Sequence, residues 1–282
     1  MNNIKANNMY KKYNKSKNYA INGITLNIDK PGIYSIVGPN GAGKTTLLKV
    51  ISKIIKLTAG TIEINGLTFY LPEVPAYYEN LSALDHYNLI RDVVNQNNIL
   101  HTPEEILNII NLDKNKPVKN YSKGMKRRLN IGMALMVKSD IILLDEPFDG
   151  LDPSISEQLS DIIKKMNDGN NIIIISSHDL SRVEDISDTI IFMKSGKIIK
   201  EISNIKNNEI TLIVSSDENK ILKISDAGIG YNLIGNKIVI NTLKKDLPDT
   251  INKLNYMGIQ INDIKILNML DLYRSIVGDG DD

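Results

Sequence analysis

The stretch GPNGAGKT at positions 38–45 follows the apolar run IYSIV at 33–37 and precedes a helical pattern at 45–55. It fits the pattern GxxxxGK followed by serine or threonine. Its glycines let the backbone turn sharply and approach an anion, while the start of the next helix offers free amide hydrogens. A strand, this turn and a helix in succession therefore predict a phosphate-binding loop, against the alternative of a plain glycine-rich turn.

The polar side chains of this loop indicate its chemistry. Lys44 adds a point charge toward the β- and γ-phosphates of a nucleotide, and Thr45 offers a hydroxyl to Mg2+. We therefore expect a triphosphate and Mg2+ to be bound here. The residues expected to bind them are Gly38, Pro39, Asn40, Gly41, Ala42, Gly43, Lys44, Thr45 and Thr46.

A second chemical motif, IILLDEP, occupies positions 141–147 and is typical of a buried strand that ends in two carboxylates. Ligands collect at the carboxyl ends of strands in open α/β sheets. Asp145 is expected to hold Mg2+, directly or through water, and Glu146 to orient and polarise an attacking water as a general base. The alternative is a strand that ends in a capped turn without chemistry.

Strands and helices alternate around these two motifs, as they do in α/β folds. Short apolar runs predict further strands at 69–71 and 172–175, beside those at 33–37 and 141–144. Apolar residues at helical spacing predict a helix at 155–166. Together these segments predict a mostly parallel sheet with helices packed on it.

The alternation stops between 73 and 121, where a mainly helical insert is expected. Ser82 is predicted to cap one of its helices. Thr102, Pro103 and Glu105 form a capping box that predicts the start of another.

The pattern changes again after about Asn204, where the chain is predicted to enter a small C-terminal α/β domain. Its expected elements are strands at 209–214, 231–234 and 237–240 with a hairpin turn at Gly235-Asn236, a helix presenting Leu247, Ile251 and Leu254, the segment 259–266 and a final helical stretch. We therefore divide the chain into 1–204, which contains the insert, and 205–282.

The overall composition excludes several classes of protein. A hydrophobic fraction of 42% and a charged fraction of 24% are those of a globular chain, and a formal charge of +1 gives no basic field for nucleic acid. Cysteine is absent, which excludes a disulfide framework and a catalytic thiol. The polar start of the chain is unlike a secretory signal peptide, and the apolar runs are too short to cross a bilayer. We therefore expect any role at a membrane to depend on another chain.

The segment YSKGMKRRL at 121–129 resembles the signature motif that distinguishes ABC ATPases from other phosphate-loop enzymes. The usual core of that motif is Ser-Gly-Gly-Gln, whereas this chain has Ser122-Lys123-Gly124-Met125. The serine and the second glycine remain, as in variants found in bacterial exporter ATPases. The resemblance implies that Ser122 and Gly124 bind the ATP held by a second subunit, so that hydrolysis requires a head-to-tail dimer with two ATP molecules between the subunits.

Other landmarks of the family can be matched one by one. The segment FDGLDP at 148–153 is similar to the loop that passes between two ABC subunits, with Asp152 as its carboxylate. His178 resembles the switch histidine that contacts the γ-phosphate and helps to hold the attacking water. Tyr13 resembles the aromatic residue that stacks on adenine, with Tyr10 as the competing candidate.

One position departs from the family in an informative way. Glu73 stands where the family usually has glutamine. Its carboxylate still supplies an oxygen for Mg2+ or water, and it adds a negative charge near the metal. The same substitution is known in transporters that confer immunity to antimicrobial peptides.

The helical insert is the segment that the resemblance assigns to contact with a membrane partner. Tyr77, Tyr78 and the predicted helix 81–94 are the expected contacts, although these aromatic residues could equally form the core of the insert. His86 and His101 have no chemical motif around them, so we expect both to be ordinary surface residues.

The resemblance, which covers about residues 4–200, implies an ATPase subunit that powers transport, most like exporter-type ATPases for drugs or immunity to antimicrobial peptides. It would use ATP and Mg2+ and pair with a second ABC ATPase subunit, identical or different. It would be attached to the cytoplasmic face of the membrane through separate transmembrane permease subunits. The alternatives are a soluble ABC ATPase that acts on nucleic acid or ribosomes, and a cassette that binds ATP without hydrolysing it. We expect no nucleic-acid partner.

Overall fold

A computed structural model describes residues 2–14, 16–203, 209–234, 237–243 and 246–266. These residues fall into two compact units, the first ending at Ser203 and the second containing the described residues from Glu209 onward. Within these ranges no helix has both the length and the apolar character needed to cross a membrane.

The first unit is built on a six-stranded sheet, and its elements are numbered here in chain order. The strands are β1 (Asn3–Lys11), β2 (Ile21–Ile28), β3 (Gly32–Val37), β4 (Ala59–Asn65), β5 (Thr68–Leu71), β6 (Ile141–Asp145), β7 (Ile172–Ser177), β8 (Thr189–Lys194) and β9 (Lys197–Ser203). The helices are α1 (Lys44–Ile51), α2 (Ala83–Val93), α3 (Pro103–Ile110), α4 (Lys123–Met136) and α5 (Pro153–Met166).

The six-stranded sheet has the order β5-β6-β7-β3-β8-β9 and is parallel except at β9. Every residue of β6 and β7 is buried, because central strands are covered on both faces and therefore carry continuous apolar runs. The four strands predicted from such runs are confirmed. The parallel register brings the carboxyl ends of β3, β6 and β7 to the same edge, where the two chemical motifs follow.

A smaller antiparallel sheet with the order β2-β1-β4 belongs to the same unit. The buried residues of β2 alternate with exposed ones along its second half, as in a sheet with one face against the core. Its inner face packs with α1 into the core cluster of the unit through residues such as Ile4, Ile28, Leu47 and Leu48. This packing fixes the helix that follows the phosphate-binding loop.

Two helix boundaries differ from the prediction. α1 ends at Ile51 rather than at residue 55, because Lys53 has φ 60° and the left-handed backbone does not continue a helix. α5 begins at Pro153, two positions before the predicted start, because Asp152 caps it and proline suits the first turn. Both predictions rest on the spacing of apolar residues, which does not indicate where a helix is capped.

The helical insert forms as the caps predicted. Ser82 opens α2 in a capping box with Asp85, and Thr102 opens α3 in a capping box with Glu105. The prediction that His86 is an ordinary surface residue is wrong, because α2 turns this side chain inward and leaves it 5% exposed. Its Nε2 accepts a hydrogen bond from the Tyr78 amide at 3.1 Å, so Nδ1 carries the hydrogen and donates to the Ser82 carbonyl at 2.7 Å.

The second unit contains β10 (Glu209–Ser215), α6 (Glu218–Asp226), β11 (Asn232–Ile234), β12 (Lys237–Leu243), α7 (Leu247–Tyr256) and β13 (Asp263–Ile266). Its antiparallel sheet has the order β11-β12-β10-β13, the arrangement of a βαββαβ ferredoxin-like fold. Apolar side chains of the sheet, α6 and α7, among them Leu212, Ile224 and Leu254, form a core of its own. The predicted turn at Gly235-Asn236 and the final helical stretch lie outside the described residues.

Candidate active site

A cleft of about 520 Å³ opens at the edge of the sheet where β3, β6 and β7 end. This is the edge at which open α/β sheets bind ligands. Its lining combines the phosphate-binding loop with residues that follow β5, β6 and β7. The lining residues are Ala20, Asn40, Gly41, Ala42, Gly43, Lys44, Thr45, Thr46, Glu73, Glu146, Asp149 and His178.

The loop at 38–45 wraps closely around the side chain of Lys44. The Lys44 ammonium donates to the carbonyls of Gly38 at 2.7 Å and Pro39 at 3.1 Å. A Cβ on Gly38 would lie 2.1 Å from the Met193 carbonyl oxygen, so no larger residue fits there. The loop therefore holds a nearly buried cation at the start of α1, the geometry of an anion-binding turn.

Asp145 ends β6 with a carboxylate that three hydroxyl groups contact. The donors are Thr45 Oγ1 at 3.0 Å, Ser176 Oγ at 2.6 Å and the Tyr70 hydroxyl at 3.0 Å. Burial, and then the negative charge of Asp145, raise the pKa of Tyr70 well above its ordinary value, which keeps this donor neutral. Four oxygen groups thus meet beside the phosphate-binding loop.

Glu146 lies one position later in a backbone conformation that side chains rarely adopt, with φ 47°. Its carboxylate forms an ion pair with Lys44 Nζ at 3.2 Å and contacts His178 Nδ1 at 2.9 Å. Because an ionised carboxylate can only accept, Nδ1 of His178 carries the hydrogen. Strained residues cluster at active sites, and here the strain aims a nearly buried carboxylate into the cleft between a cation and an imidazole.

The two tyrosines considered for adenine stacking have different surroundings. The Tyr13 hydroxyl lies 3.4 Å from Thr46 Oγ1, and its exposed ring stands beside the cleft with Lys11 Nζ 5.4 Å from the ring centroid. Tyr10 instead packs edge to face against Tyr19 at 5.6 Å. The geometry favours Tyr13, whose exposed side chain reaches the phosphate-binding loop through its hydroxyl.

The residues predicted to serve a second subunit lie outside the cleft lining of their own chain. Ser122 caps α4 by accepting from the Met125 amide at 3.2 Å, and Asp152 caps α5 by accepting from the Ile155 amide at 3.0 Å. Gly124 packs against α5 so tightly that a Cβ there would lie 2.5 Å from Ile155 Cδ1. The first turns of the two helices therefore pack directly against each other.

Sequence reasoning missed several polar residues around the cleft, and also Ala20 in its lining. Tyr70 and Ser176 hold Asp145, Asp149 lines the cleft, and the nearly buried Arg127 guanidinium donates to the Glu73 carbonyl. One of these contacts could have been found from the sequence, because in a parallel pairing of β6 with β7 Ser176 lies directly beside Asp145. The other contacts join distant segments that no local pattern relates.

The cleft suits a metal that is held partly by its substrate. Thr45, Asp145 and Glu73 provide oxygen atoms, the donors that Mg2+ prefers. Among the residues described, no three acidic, histidine or cysteine side chains cluster so as to hold a metal by themselves. Mg2+ usually binds through one or two carboxylates together with phosphate oxygens, and the donor set fits that case.

Comparison with known proteins defines the class to which this fold and cleft belong. The sequence profile of the family described as ABC transporter matches residues 21–149. The chain is 36% identical to the lantibiotic transport ATP-binding protein SrtF of Streptococcus pyogenes, over 70% of this chain and 90% of that protein. It is 30% identical to the bacitracin transport ATP-binding protein BcrA of Enterococcus faecalis, over 98% of this chain and 97% of that protein.

Solved structures agree in fold. The dimeric structure of MJ0796, a bacterial ABC transporter cassette, has a TM-score of 0.62 at 25% identity and covers 71% of this chain and 98% of that one. The ADP form of the cassette MJ1267 has a TM-score of 0.62 at 22% identity, covering 73% of this chain and 94% of that one. The predicted phosphate-loop fold of the ABC type is confirmed.

The chain belongs to the ATP-binding proteins of ABC transporters. It is an ATPase that binds nucleotide and whose hydrolysis of ATP powers transport. The relatives support this function and not the alternative of an ABC ATPase acting on nucleic acid or ribosomes.

Proposed function

We propose that this ATPase drives export of an antimicrobial peptide or a chemically related drug. The observation that supports this substrate class is the similarity to BcrA, a bacitracin transport protein, over nearly the whole of both chains. SrtF, a lantibiotic transport protein, points to the same kind of cargo. The cargo itself would be bound by the membrane partner.

We infer that hydrolysis is carried out by Glu146 as the general base and by His178. The supporting observation is that the Glu146 carboxylate lies between Lys44 Nζ and His178 Nδ1. A triphosphate in the loop competes with Glu146 for the Lys44 ammonium, which frees one carboxylate oxygen to accept a proton from water. His178 keeps the other oxygen oriented and contacts the γ-phosphate.

Mg2+ would be held by Thr45 and Asp145, with Glu73 supplying a further oxygen directly or through water. When bound, the ion neutralises charge that develops on the phosphates during transfer. Tyr70 and Ser176 keep the Asp145 carboxylate oriented toward the hydroxyl of Thr45, and this is their task in the mechanism. Tyr13 would stack on the adenine base.

The working unit would be a head-to-tail dimer of two ATPase subunits, identical or different. The first turns of α4 and α5, with Ser122, Gly124 and Asp152, would face the ATP held in the cleft of the second subunit. This arrangement is supported by their position outside the cleft of their own chain and by the exposed Ser122 side chain at the N-terminus of α4.

The permease subunits would bind at the helical insert, which places the ATPase at the cytoplasmic face of the membrane. Exposed apolar side chains gather on this insert: Val74 is 81% exposed, Tyr78 68% and Val93 85%. Tyr77 differs, because it is half-buried and its hydroxyl donates to Asn130 Oδ1 at 2.8 Å. Tyr78 and α2 are therefore the proposed contacts, whereas Tyr77 belongs to the core of the insert.

Replacing the proposed general base tests the assignment of the cleft. Glu146→Gln keeps the shape and the strained backbone but removes the proton acceptor, so ATP binding should persist while phosphate release falls about a thousandfold. The measurement is phosphate release beside equilibrium binding of ATP. Glu157→Gln, an exposed glutamate on α5, is the matched control and should behave like wild type. Normal phosphate release by Glu146→Gln would contradict the assigned role.

A further inference from the structure

The cleft lining carries more negative than positive side chains. Glu73, Glu146 and Asp149 line it, against Lys44 as the lysine in the lining. Lys44 forms an ion pair with Glu146, which leaves two carboxylates facing the space where a triphosphate would bind. Since phosphates are themselves anionic, each of these carboxylates, unless it is paired with a cation, opposes the attraction that Lys44 and the loop provide.

Lys123 brings an additional cation to this acidic lining. Its Nζ forms an ion pair with Asp149 Oδ2 at 3.1 Å. This contact holds the pKa of the Asp149 carboxyl below its usual range, so Asp149 is charged and paired at neutral pH. Lys123 lies in the signature segment, at the position where the usual motif has glycine.

The local backbone makes room for this lysine. Gly150 follows Asp149 with φ 63°, and a Cβ placed on it would lie 1.8 Å from Lys123 Nζ. The left-handed backbone favours glycine here, and any larger residue would also have to displace the end of the Lys123 side chain. The lysine crosses from the first turn of α4 to the segment that leaves the cleft.

The ion pair itself stabilises the fold very little. The side chains of Lys123 and Asp149 are 55% and 36% exposed, and ion pairs that solvent reaches this readily contribute little to stability. The effect of Lys123 on the cleft is different, because it cancels a charge that a bound triphosphate would meet. We therefore expect the pair to affect the affinity for nucleotide more than the stability of the fold.

We propose that Lys123 is a positioning residue for the nucleotide cleft of its own chain, where it neutralises Asp149 and so strengthens binding of ATP. This inference rests on the proposed placement of ATP in the cleft. It assigns the lysine to its own subunit, whereas its neighbour Ser122 is assigned to the nucleotide of the second subunit.

The test is equilibrium binding of Mg-ATP to the full chain at a protein concentration low enough to keep it monomeric. Lys123→Ala should weaken binding roughly threefold to fivefold, the effect of one uncompensated charge across a solvated cleft. The difference should shrink in high salt, which screens the charge. Lys164→Ala, which removes an exposed lysine from the far end of α5, is the matched control and should bind like wild type.

A double variant distinguishes the loss of the lysine charge from the loss of the lysine side chain itself. Lys123→Ala combined with Asp149→Asn should restore the affinity of wild type, because the charge that Lys123 cancels is gone. In steady-state hydrolysis Lys123→Ala should raise KM with kcat nearly unchanged. If Lys123→Ala lowers kcat at unchanged affinity, the lysine acts on the nucleotide of the second subunit and the inference is wrong. If the wild type itself binds no ATP in this cleft, the proposed placement of the nucleotide fails instead.

Discussion

The cleft and the first turns of α4 and α5 are built from different kinds of contact. In the cleft Lys44, Asp145 and Glu146 are nearly buried, and each has partners within its own chain. At the helix starts, Ser122 and Asp152 are exposed and their side chains do no more than cap a helix. These cleft residues are thus held in place within one chain, whereas the helix starts present exposed polar side chains that we propose face the nucleotide of the second subunit.

The largest effect is expected from a substitution at Ser122 that keeps the helix cap but changes the charge at the helix start. Aspartate caps helices as well as serine does, so Ser122→Asp should leave the fold stable. It places a negative charge where the phosphate of the second subunit would bind, so turnover should fall about a hundredfold or more while ATP affinity of the monomer stays unchanged. Phosphate release and ATP binding, measured side by side, check this.

Ser122→Ala serves as the comparison for that variant. Loss of the cap should lower the free energy of unfolding by about 1 kcal/mol, which a denaturant titration measures. Hydrolysis by Ser122→Asp at the rate of wild type would mean that this helix start does not face a phosphate.

Removing the proposed contact with adenine is expected to have a smaller effect on function. Tyr13→Ala removes a stacking platform, so ATP affinity should fall by about 1 to 3 kcal/mol, whereas Tyr13→Phe should keep it. Because Tyr10 packs against Tyr19 and not beside the loop, Tyr10→Phe should bind ATP as wild type does. The measurement is competition between ATP and a triphosphate without a base. Equal loss for both ligands in Tyr13→Ala would show that the tyrosine does not contact adenine.

A further prediction concerns the stability of the folded chain and not its affinity for ATP. Tyr70→Phe removes one hydroxyl from the Asp145 carboxylate, so at pH 7 the free energy of unfolding should fall by about 1.5 to 3 kcal/mol. The pKa of Tyr70 is raised in the folded chain, so its contribution is fully present below its unfolded pKa of about 10 and is lost as pH rises toward the folded value. Wild type and Tyr70→Phe should therefore converge in stability above pH ~10.

Urea titrations of both proteins at pH 7 and above pH ~10 measure this difference. Ser203→Ala, in which the lost hydroxyl contacts Thr189 and no carboxylate, is the control, and its difference from wild type should not change between the two pH values. A difference for Tyr70→Phe that stays constant would show that Tyr70 is not held neutral by burial and Asp145.

The sequence was informative where a short segment contains the whole cause of its structure. The glycine loop, the apolar strands and the caps at Ser82 and Thr102 all depend on neighbours within a few residues, and the structure confirms them. The contacts of Tyr70 and Arg127 depend on which strands and helices meet, which a local pattern does not contain.

The wrong predictions also concern features that no local sequence pattern specifies. His86 was expected at the surface because its neighbours show no motif, but the fold of the insert brings the Tyr78 amide and the Ser82 carbonyl to its ring. The apolar spacing after Ile51 continued the helical pattern past the point where Lys53 adopts a left-handed backbone. Periodicity indicates which face of a segment is buried and leaves open where that segment stops.

The left-handed backbone of Glu146 limits how this site can change in evolution or in engineering. Only glycine, and to a lesser degree asparagine and aspartate, adopts that conformation readily. A search for more stable variants would therefore favour glycine or asparagine at this position, which lack the proposed proton acceptor, or aspartate, whose shorter side chain would draw the carboxylate away from Lys44 and His178. Thermal robustness and turnover are opposed at this single residue, so a stabilised form of the protein should be sought through substitutions elsewhere.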